Sequence, residues 1–329
     1  MAASRISGIG FFVPPRVVTN HDLERVMDTT DAWIVERTGI RERHFVEPGV
    51  GSTDLAFEAA RKALADAGRQ ASDVDFIVFA TITPDYMFPG CGVLLQQRLG
   101  LGPIPALDVR NACSGFVYAL ATADAFVRAG QYRCVLVIGA EVQSTGLNLT
   151  TAGRDMAVLF GDGAGAAVVE PAGQPGILAS VLHGEGEFAR ELWAEAPSSL
   201  VPGRMTHEMI DQGRHFPAMN GRQVFKHATT RFPEVIHETL ARAGRQLEDV
   251  KLVIPHQANQ RIADAVGERL GVPPEKVFQN IQRYGNTTAA SIPIALTEAR
   301  DQGRFARGDL IVLAAFGAGF AWGATAIEW

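Results

Sequence analysis

Short, continuous apolar runs alternate along this chain with stretches whose apolar residues recur at helical spacing. Phe76 to Thr81 (FIVFAT) is apolar at nearly every position, which predicts a strand covered on both faces. CVLVIGA from Cys134, LVIP from Leu252 and LIVLAAF from Leu310 have the same character. Between such runs, Ser52 to Ala67 reads as a helix, with Ser/Thr at its cap, good helix formers inside and Gly68 as its stop. This alternation predicts an α/β protein whose helices pack over largely buried sheets.

The pattern also repeats. ALADAGRQASDVDFIV from Ala63 matches TLARAGRQLEDVKLVI from Thr239, a displacement of 176 residues (239 − 63) with AGRQ identical. RLGL at Arg98 returns as RLGV at Arg269, and a turn, a helical stretch and a closing strand follow each. Two matched blocks in the same order predict a duplication, with an N-terminal half over 1–172 and a C-terminal half over 173–329, meeting near Gly173 to Gly176 (GQPG).

Composition narrows the class. With 47% hydrophobic and 20% charged residues the chain is globular, and 34 glycines predict tight turns and close backbone packing. A net charge of −6 argues against non-specific nucleic-acid binding. No run reaches the roughly 18 apolar residues of a membrane span, and MAASRISGIGFFVPP has no signal-peptide pattern, so a cytoplasmic location is expected. Three cysteines are too few and too scattered for a disulfide framework or a zinc site. Cys91 and Cys134 read as structural.

Cys113 is different, because it precedes CSGFVYALATADAF, a stretch with the composition of a buried helix. A helix N-terminus favours the thiolate, and small Ser114 and Gly115 would let a substrate approach. His256 follows the strand LVIP in a polar run, at the strand end where α/β folds place ligands. Asn286 lies in YGNTTAAS, in the turn of the second half that corresponds to the turn of Cys113. Each alone reads more readily as structure: a buried cysteine, a capping or core-satisfied histidine, an αL turn residue or N-cap.

The flanking motifs resolve the ambiguity. DAWIVERTGIRERH at Asp31, NACSGF at Asn111, GDGAGAA at Gly161, HQANQRI at His256, YGNTTAASIP at Tyr284 and AFGAGFAWGA at Ala315 run nearly end to end. In their order and spacing the chain resembles the β-ketoacyl-acyl-carrier-protein synthases of type III, in the thiolase superfamily. That resemblance implies a five-layered αβαβα fold, a homodimer, and acyl-CoA and acyl carrier protein as partners, with no cofactor or metal. It implies decarboxylative condensation of an acyl-CoA primer with malonyl-ACP, initiating fatty-acid synthesis. Cys113 would carry the acyl group, while His256 and Asn286 would bind the malonyl thioester carbonyl. Ala318, beside Phe316, would complete an oxyanion hole with the Cys113 N–H. Trp33 and Arg154 would sandwich the CoA adenine, with Arg37 near the phosphates. Phe88, reaching across the dimer interface, and Phe160 would wall a short acyl pocket. Lys226, Arg261 and Arg222 would dock the acidic carrier protein.

Two features depart from the family pattern. Ala318 replaces the middle of three glycines, and the segment from Gly139 to Arg154 is about two residues longer and lacks an acidic residue before the arginine. An acyltransferase or condensing enzyme of secondary metabolism, using another acceptor, is the alternative within the same resemblance. A dinucleotide-binding oxidoreductase is excluded by spacing, because GDGAGAA lacks the last glycine of the fingerprint and AVVE follows as a strand, which predicts a tight connection between strands. A non-catalytic protein on this scaffold would be expected to lose one of the three site residues.

Overall fold

A computed structural model describes residues 3–174 and 176–329. Met1, Ala2 and Pro175, the last a member of the GQPG junction, lie outside the described residues. The nine principal strands are β1 (Ala3–Phe12), β2 (Phe76–Ala80), β3 (Ala106–Val109), β4 (Val135–Glu141), β5 (Gly163–Ala172), β6 (Ile177–Gly184), β7 (Val250–Pro255), β8 (Leu310–Gly317) and β9 (Ala321–Glu328). The principal helices are α1 (Asp31–Thr38), α2 (Ser52–Ala67), α3 (Cys91–Arg98), α4 (Gly115–Arg128), α5 (Gly221–Ala243), α6 (Gln260–Leu270) and α7 (Ser291–Asp301).

The strands form two sheets, in the orders β1-β5-β4-β2-β3 and β7-β8-β9-β6. Read from β6, the second sheet repeats the first. β6 and β9 pair antiparallel, as do β9 and β8, while β8 and β7 are parallel, which is the pattern of β1, β5, β4 and β2. The counterpart of β3 is reduced to one parallel bridge, Val253 with Val277. The chain passes from one sheet to the other between Ala172 and Ile177.

Three apolar cores separate five layers. One lies between α2 with α3 and the first sheet, one between the two sheets around α4 and α7, and one between the second sheet and α5 with α6. Strand β2 shows why its residues are almost all apolar. Phe76, Val78 and Ala80 face the central core, while Ile77 and Phe79 face the outer one. Each large side chain so buried is worth about 1.5–3 kcal/mol.

Helix α2 ends as the sequence predicts, with Gly68 in the left-handed region at φ 64°. It also begins at Ser52 as predicted, but its cap is not a Ser or Thr. Gly51 occupies the cap and Ser52 is already helical. Asp85, from a distant loop, accepts the Thr53 N–H (3.1 Å) in the role a capping serine would play, and Ser52 donates instead to the Thr83 carbonyl (2.6 Å).

The glycine-rich run 161–167 is a second correction. It is not a tight connection, since β5 itself begins at Gly163. A Cβ on Gly165 would stand 2.6 Å from Pro293 of α7, and one on Gly139 of β4 would stand 2.3 Å from the Ala289 carbonyl. The glycines let the central helix lie against the sheet.

Candidate active site

Strand β7 ends at Pro255, and the N–H of the next residue, His256, donates to the Ala314 carbonyl of β8 (2.8 Å). The His256 ring is buried. Its Nδ1 lies 2.6 Å from the Ser291 hydroxyl of α7, while Nε2 has no partner among the described residues. Ser291 Oγ also accepts the Gln257 N–H (3.4 Å); when the hydroxyl donates its proton to Nδ1, the ring proton stands on Nε2. Burial pushes the imidazole down to about 3, so it is neutral near pH 7.

Asn286 belongs to the turn before α7. Its N–H donates to the Leu159 carbonyl (2.8 Å), and its carbonyl accepts the Gly161 N–H (3.1 Å). The side-chain Oδ1 accepts the Thr288 N–H (2.9 Å), so Nδ2 is the end left to donate. Arg43 braces this region from below. It is fully buried, its guanidinium donating to the Val158 carbonyl (2.8 Å) and Asn20 Oδ1 (2.8 Å), and burial pushes it down to about 10.

Cys113 sits in a 3-10 turn, Ala112–Ser114, that leads into α4. The N–H groups of Cys113 and Ala318 both face its sulfur. Those N–H groups pull the thiol down, against two opposing causes. Burial pushes it from 9.0 to about 12, and the carboxylate of Glu141 adds to the rise. Gly317 closes over Cys113: a Cβ there would stand 2.5 Å from Cys113 Cβ and 3.0 Å from Sγ.

Cys113, His256 and Asn286 line one cavity of about 320 Å³, together with Phe316 and Phe160. On the other side of Cys113 a second chamber of about 370 Å³ is lined by Ile82, Met156, Phe160, Leu192 and Trp193. Phe160 borders both. Phe88 borders neither within this chain, and is 77% exposed beside exposed Tyr86 and Met87. Ala318 accommodates the loss of glycine, because it is not among the residues with positive φ; Gly319 next to it takes that conformation, at φ 138°.

At the mouth of the first cavity, the guanidinium carbons of Arg37 and Arg154 each lie 4.5 Å from the Trp33 ring centroid. Arg154 therefore touches the indole directly, and a purine could enter between them only if the arginine moved aside. Arg154 also donates to the Asp28 carbonyl (2.6 Å), and Thr151 of the longer loop accepts the Asp28 N–H (2.9 Å). The extra length is thus folded against the segment that leads into α1. Arg222 and Lys226 on α5 and Arg261 on α6 are exposed and form no ion pair among the described residues. They flank the mouth, which Val224, Phe225 and Ile262 line.

Ser291, Gly317, Arg43 and Glu141 were not singled out in the sequence. The first three lie inside the quoted motifs, but their partners are remote in the chain.

Two family models match, the 3-oxoacyl-[acyl-carrier-protein] synthase III model over residues 107–186 and its C-terminal model over 240–329. A β-ketoacyl-[acyl-carrier-protein] synthase III of Symbiobacterium thermophilum is 46% identical over 98% of this chain and 97% of its own. The crystal structure of 3-oxoacyl-[acyl-carrier-protein] synthase III from Aquifex aeolicus superposes with a TM-score of 0.91 at 43% identity, covering 99% of this chain and 100% of that one. The priming β-ketosynthase of the R1128 polyketide biosynthetic pathway does so with a TM-score of 0.90 at 34% identity, over 99% and 96%.

Proposed function

The chain belongs to the 3-oxoacyl-[acyl-carrier-protein] synthase III family, and from that premise we propose how its own residues carry out the condensation that initiates fatty-acid synthesis. The carrying observation is the placement of Cys113, under the Ala318 N–H, in one cavity with a neutral His256 and with Asn286.

In the first half-reaction Cys113 Sγ attacks the carbonyl of an acyl-CoA. The N–H groups of Cys113 and Ala318 hold the oxyanion, the bond to the CoA sulfur breaks, and the proton lost by Cys113 leaves with CoA. The acyl chain occupies the second chamber, where Phe160 and Phe88 of the partner subunit limit it to short primers. In the second half-reaction His256 Nε2 and Asn286 Nδ2 donate to the thioester carbonyl of malonyl-ACP. Its carboxyl leaves as carbon dioxide, and the electron pair passes into an enolate held by those two donors. The resulting carbon nucleophile attacks the acyl-cysteine, the C–S bond breaks, and Cys113 takes up a proton from water. The product is 3-oxoacyl-ACP. No step calls on a cofactor or metal.

Trp33, Arg37 and Arg154 hold the CoA nucleotide, Arg154 swinging off the indole to admit it. Lys226, Arg261 and Arg222 steer the acidic carrier protein to the mouth. Two copies join along β3, an edge strand with Tyr86, Met87 and Phe88 exposed beside it, and such an edge favours pairing with a second sheet. The halves 1–172 and 173–329 are a duplicated pair, as their matching strand orders support. The enzyme works in the cytoplasm; among the described residues no helix is long and apolar enough to cross a membrane.

The second reading, an acyltransferase or condensing enzyme of a specialised pathway, is favoured by the likeness to the polyketide priming synthase. One experiment separates them. Acyl-CoAs from acetyl to dodecanoyl are incubated with the protein and with C113S, and the intact proteins are weighed. Mass gain on the wild type alone, discharged by malonyl-ACP with release of condensed product, is the expected result. Acylation that malonyl-ACP cannot discharge moves the second reading ahead, and no acylation of Cys113 by any donor overturns both.

A further inference from the structure

Glu141 is a buried carboxyl that the condensation does not use. It is the last residue of β4, with 0% relative exposure, and forms no ion pair among the described residues. An unpaired buried carboxylate is costly, so the groups that hold it matter. Thr83 Oγ1 donates to it at 2.6 Å, Thr81 Oγ1 at 3.3 Å, and the Ile82 N–H at 3.3 Å. The Ala289 N–H donates as well.

These donors come from two places that meet at the nucleophile. Ile82 lines the chamber behind Cys113. Ala289 stands 176 residues after Cys113 (289 − 113), at the same point of the second half's turn, and the two turns pack together. We propose that Glu141 is a positioning residue: it locks the 81–83 loop and the second-half turn together beneath Cys113, and its negative charge sets how readily that thiol ionises. The proposal rests on the assigned role of Cys113.

The charge has a physical consequence. Ionising Cys113 while Glu141 is also ionised would place two negative charges in a buried site, and the Glu141 carboxylate is indeed among the causes that push the thiol up. A thiol so restrained resists stray alkylation and oxidation, which need thiolate. Once acylated, the sulfur is neutral and the conflict disappears. Exposed Arg110 lines the same chamber as Cys113 and Ile82, and two further titratable groups nearby are already committed. His256 is held neutral by burial, and Asp162, one residue before the Gly163 that pairs with Glu141, accepts from Val46, Gln143 and Ser144.

The test is the pH profile of iodoacetamide alkylation of Cys113, read by intact mass on wild type, E141Q and E141D, with C113S to identify the labelled residue. E141Q should be alkylated about tenfold faster at pH 8, its profile displaced to lower pH, while E141D should keep the wild-type profile. Coincident profiles for E141Q and wild type would overturn the proposal. So would an equal displacement in E141D, since loosened packing would then explain both. If E141Q does not fold, T83V removes the shortest hydrogen bond to the carboxylate and favours its protonated form. It should move the profile the same way, and an unmoved profile counts against the proposal. Alkylation needs neither acyl-CoA nor malonyl-ACP, so failure of the condensation reading would show separately, as absent acylation with this profile intact.

Discussion

Ala112 and Thr288 share a left-handed backbone, with φ 45° and 49°, and stand 176 residues apart (288 − 112) at the first positions of the turns that open the two central helices. For residues with a side chain this conformation costs on the order of 1–3 kcal/mol each. Both halves accept it, because it turns the chain sharply out of a sheet and into a helix. The displacement equals that of the sequence repeat, and it makes Ala289 the counterpart of Cys113. Asn286 thus lies in the corresponding turn, three positions earlier (289 − 286).

Gly317 sits against the nucleophile, so G317A should displace Cys113. A shift of about 1 Å in a reacting group costs about 10²-fold in rate. Acylation by acyl-CoA, followed by intact mass, should fall by about that factor while the thermal melt stays near that of the wild type. An unchanged rate would show that the contact relaxes at no cost to the site.

His256 serves the second half-reaction alone in this mechanism. H256A should still acquire an acyl group but lose condensation by about 10²–10³-fold, the scale of a deleted oxyanion donor. S291A, which removes the group that presents Nε2–H, should lower condensation less and leave acylation unchanged. If H256A loses acylation as strongly as condensation, the division of roles fails.

Trp33 should matter only to donors that carry a nucleotide. W33A should raise the KM for acyl-CoA several-fold, in keeping with about 0.5–2 kcal/mol for cation–π and stacking contacts. An acyl thioester of a short pantetheine-like thiol, without the nucleotide, should react equally with both proteins. Equal losses for the two donors would place Trp33 in the fold instead.

Carrier-protein docking should be electrostatic. K226E and R261E should each raise the KM for malonyl-ACP, with a loss that shrinks as salt is added, and leave malonyl-CoA turnover unchanged. A salt-independent effect would count against a steering role.

The pH dependence of stability follows from His256 and Glu141 together. His256 drops from 6.5 to about 3 on folding, so the stability it contributes is full above 6.5 and is lost as pH falls toward 3. Glu141 rises from 4.5 to about 7, so its contribution is full below 4.5 and is lost as pH rises toward 7. Between about 4.5 and 6.5 the unfolded chain holds the His256 proton and the folded chain holds that of Glu141, and the two slopes cancel. In E141Q the histidine slope should stand alone there, at about 1.4 kcal/mol per pH unit, with stability rising with pH. Urea unfolding at several pH values measures it; a flat E141Q series would contradict a neutral His256.

What the sequence disclosed, and what it withheld, divides on physical grounds. The buried strands and the stop of α2 at Gly68 depend on local pattern, and the folded chain keeps them. The start of α2 depends on Asp85, which reaches Thr53 from a loop that no local pattern identifies. The glycines at 163 and 165 look like a loop until Pro293 and Ile294 are seen against them. That Cys113, His256 and Asn286 come together in one cavity was legible through their motifs. At Cys113 the helix terminus is visible in sequence, whereas the burial that opposes it is not.

The central layer makes the two halves dependent on each other. Helices α4 and α7 lie between the two sheets, so a single half, released at the junction before Ile177, would expose the apolar inner face of its sheet and one side of its helix. Such a half has to associate. Within one chain the two turns need not be alike: Cys113 stands in one and Ala289 in the other, while both halves keep their share of the central layer.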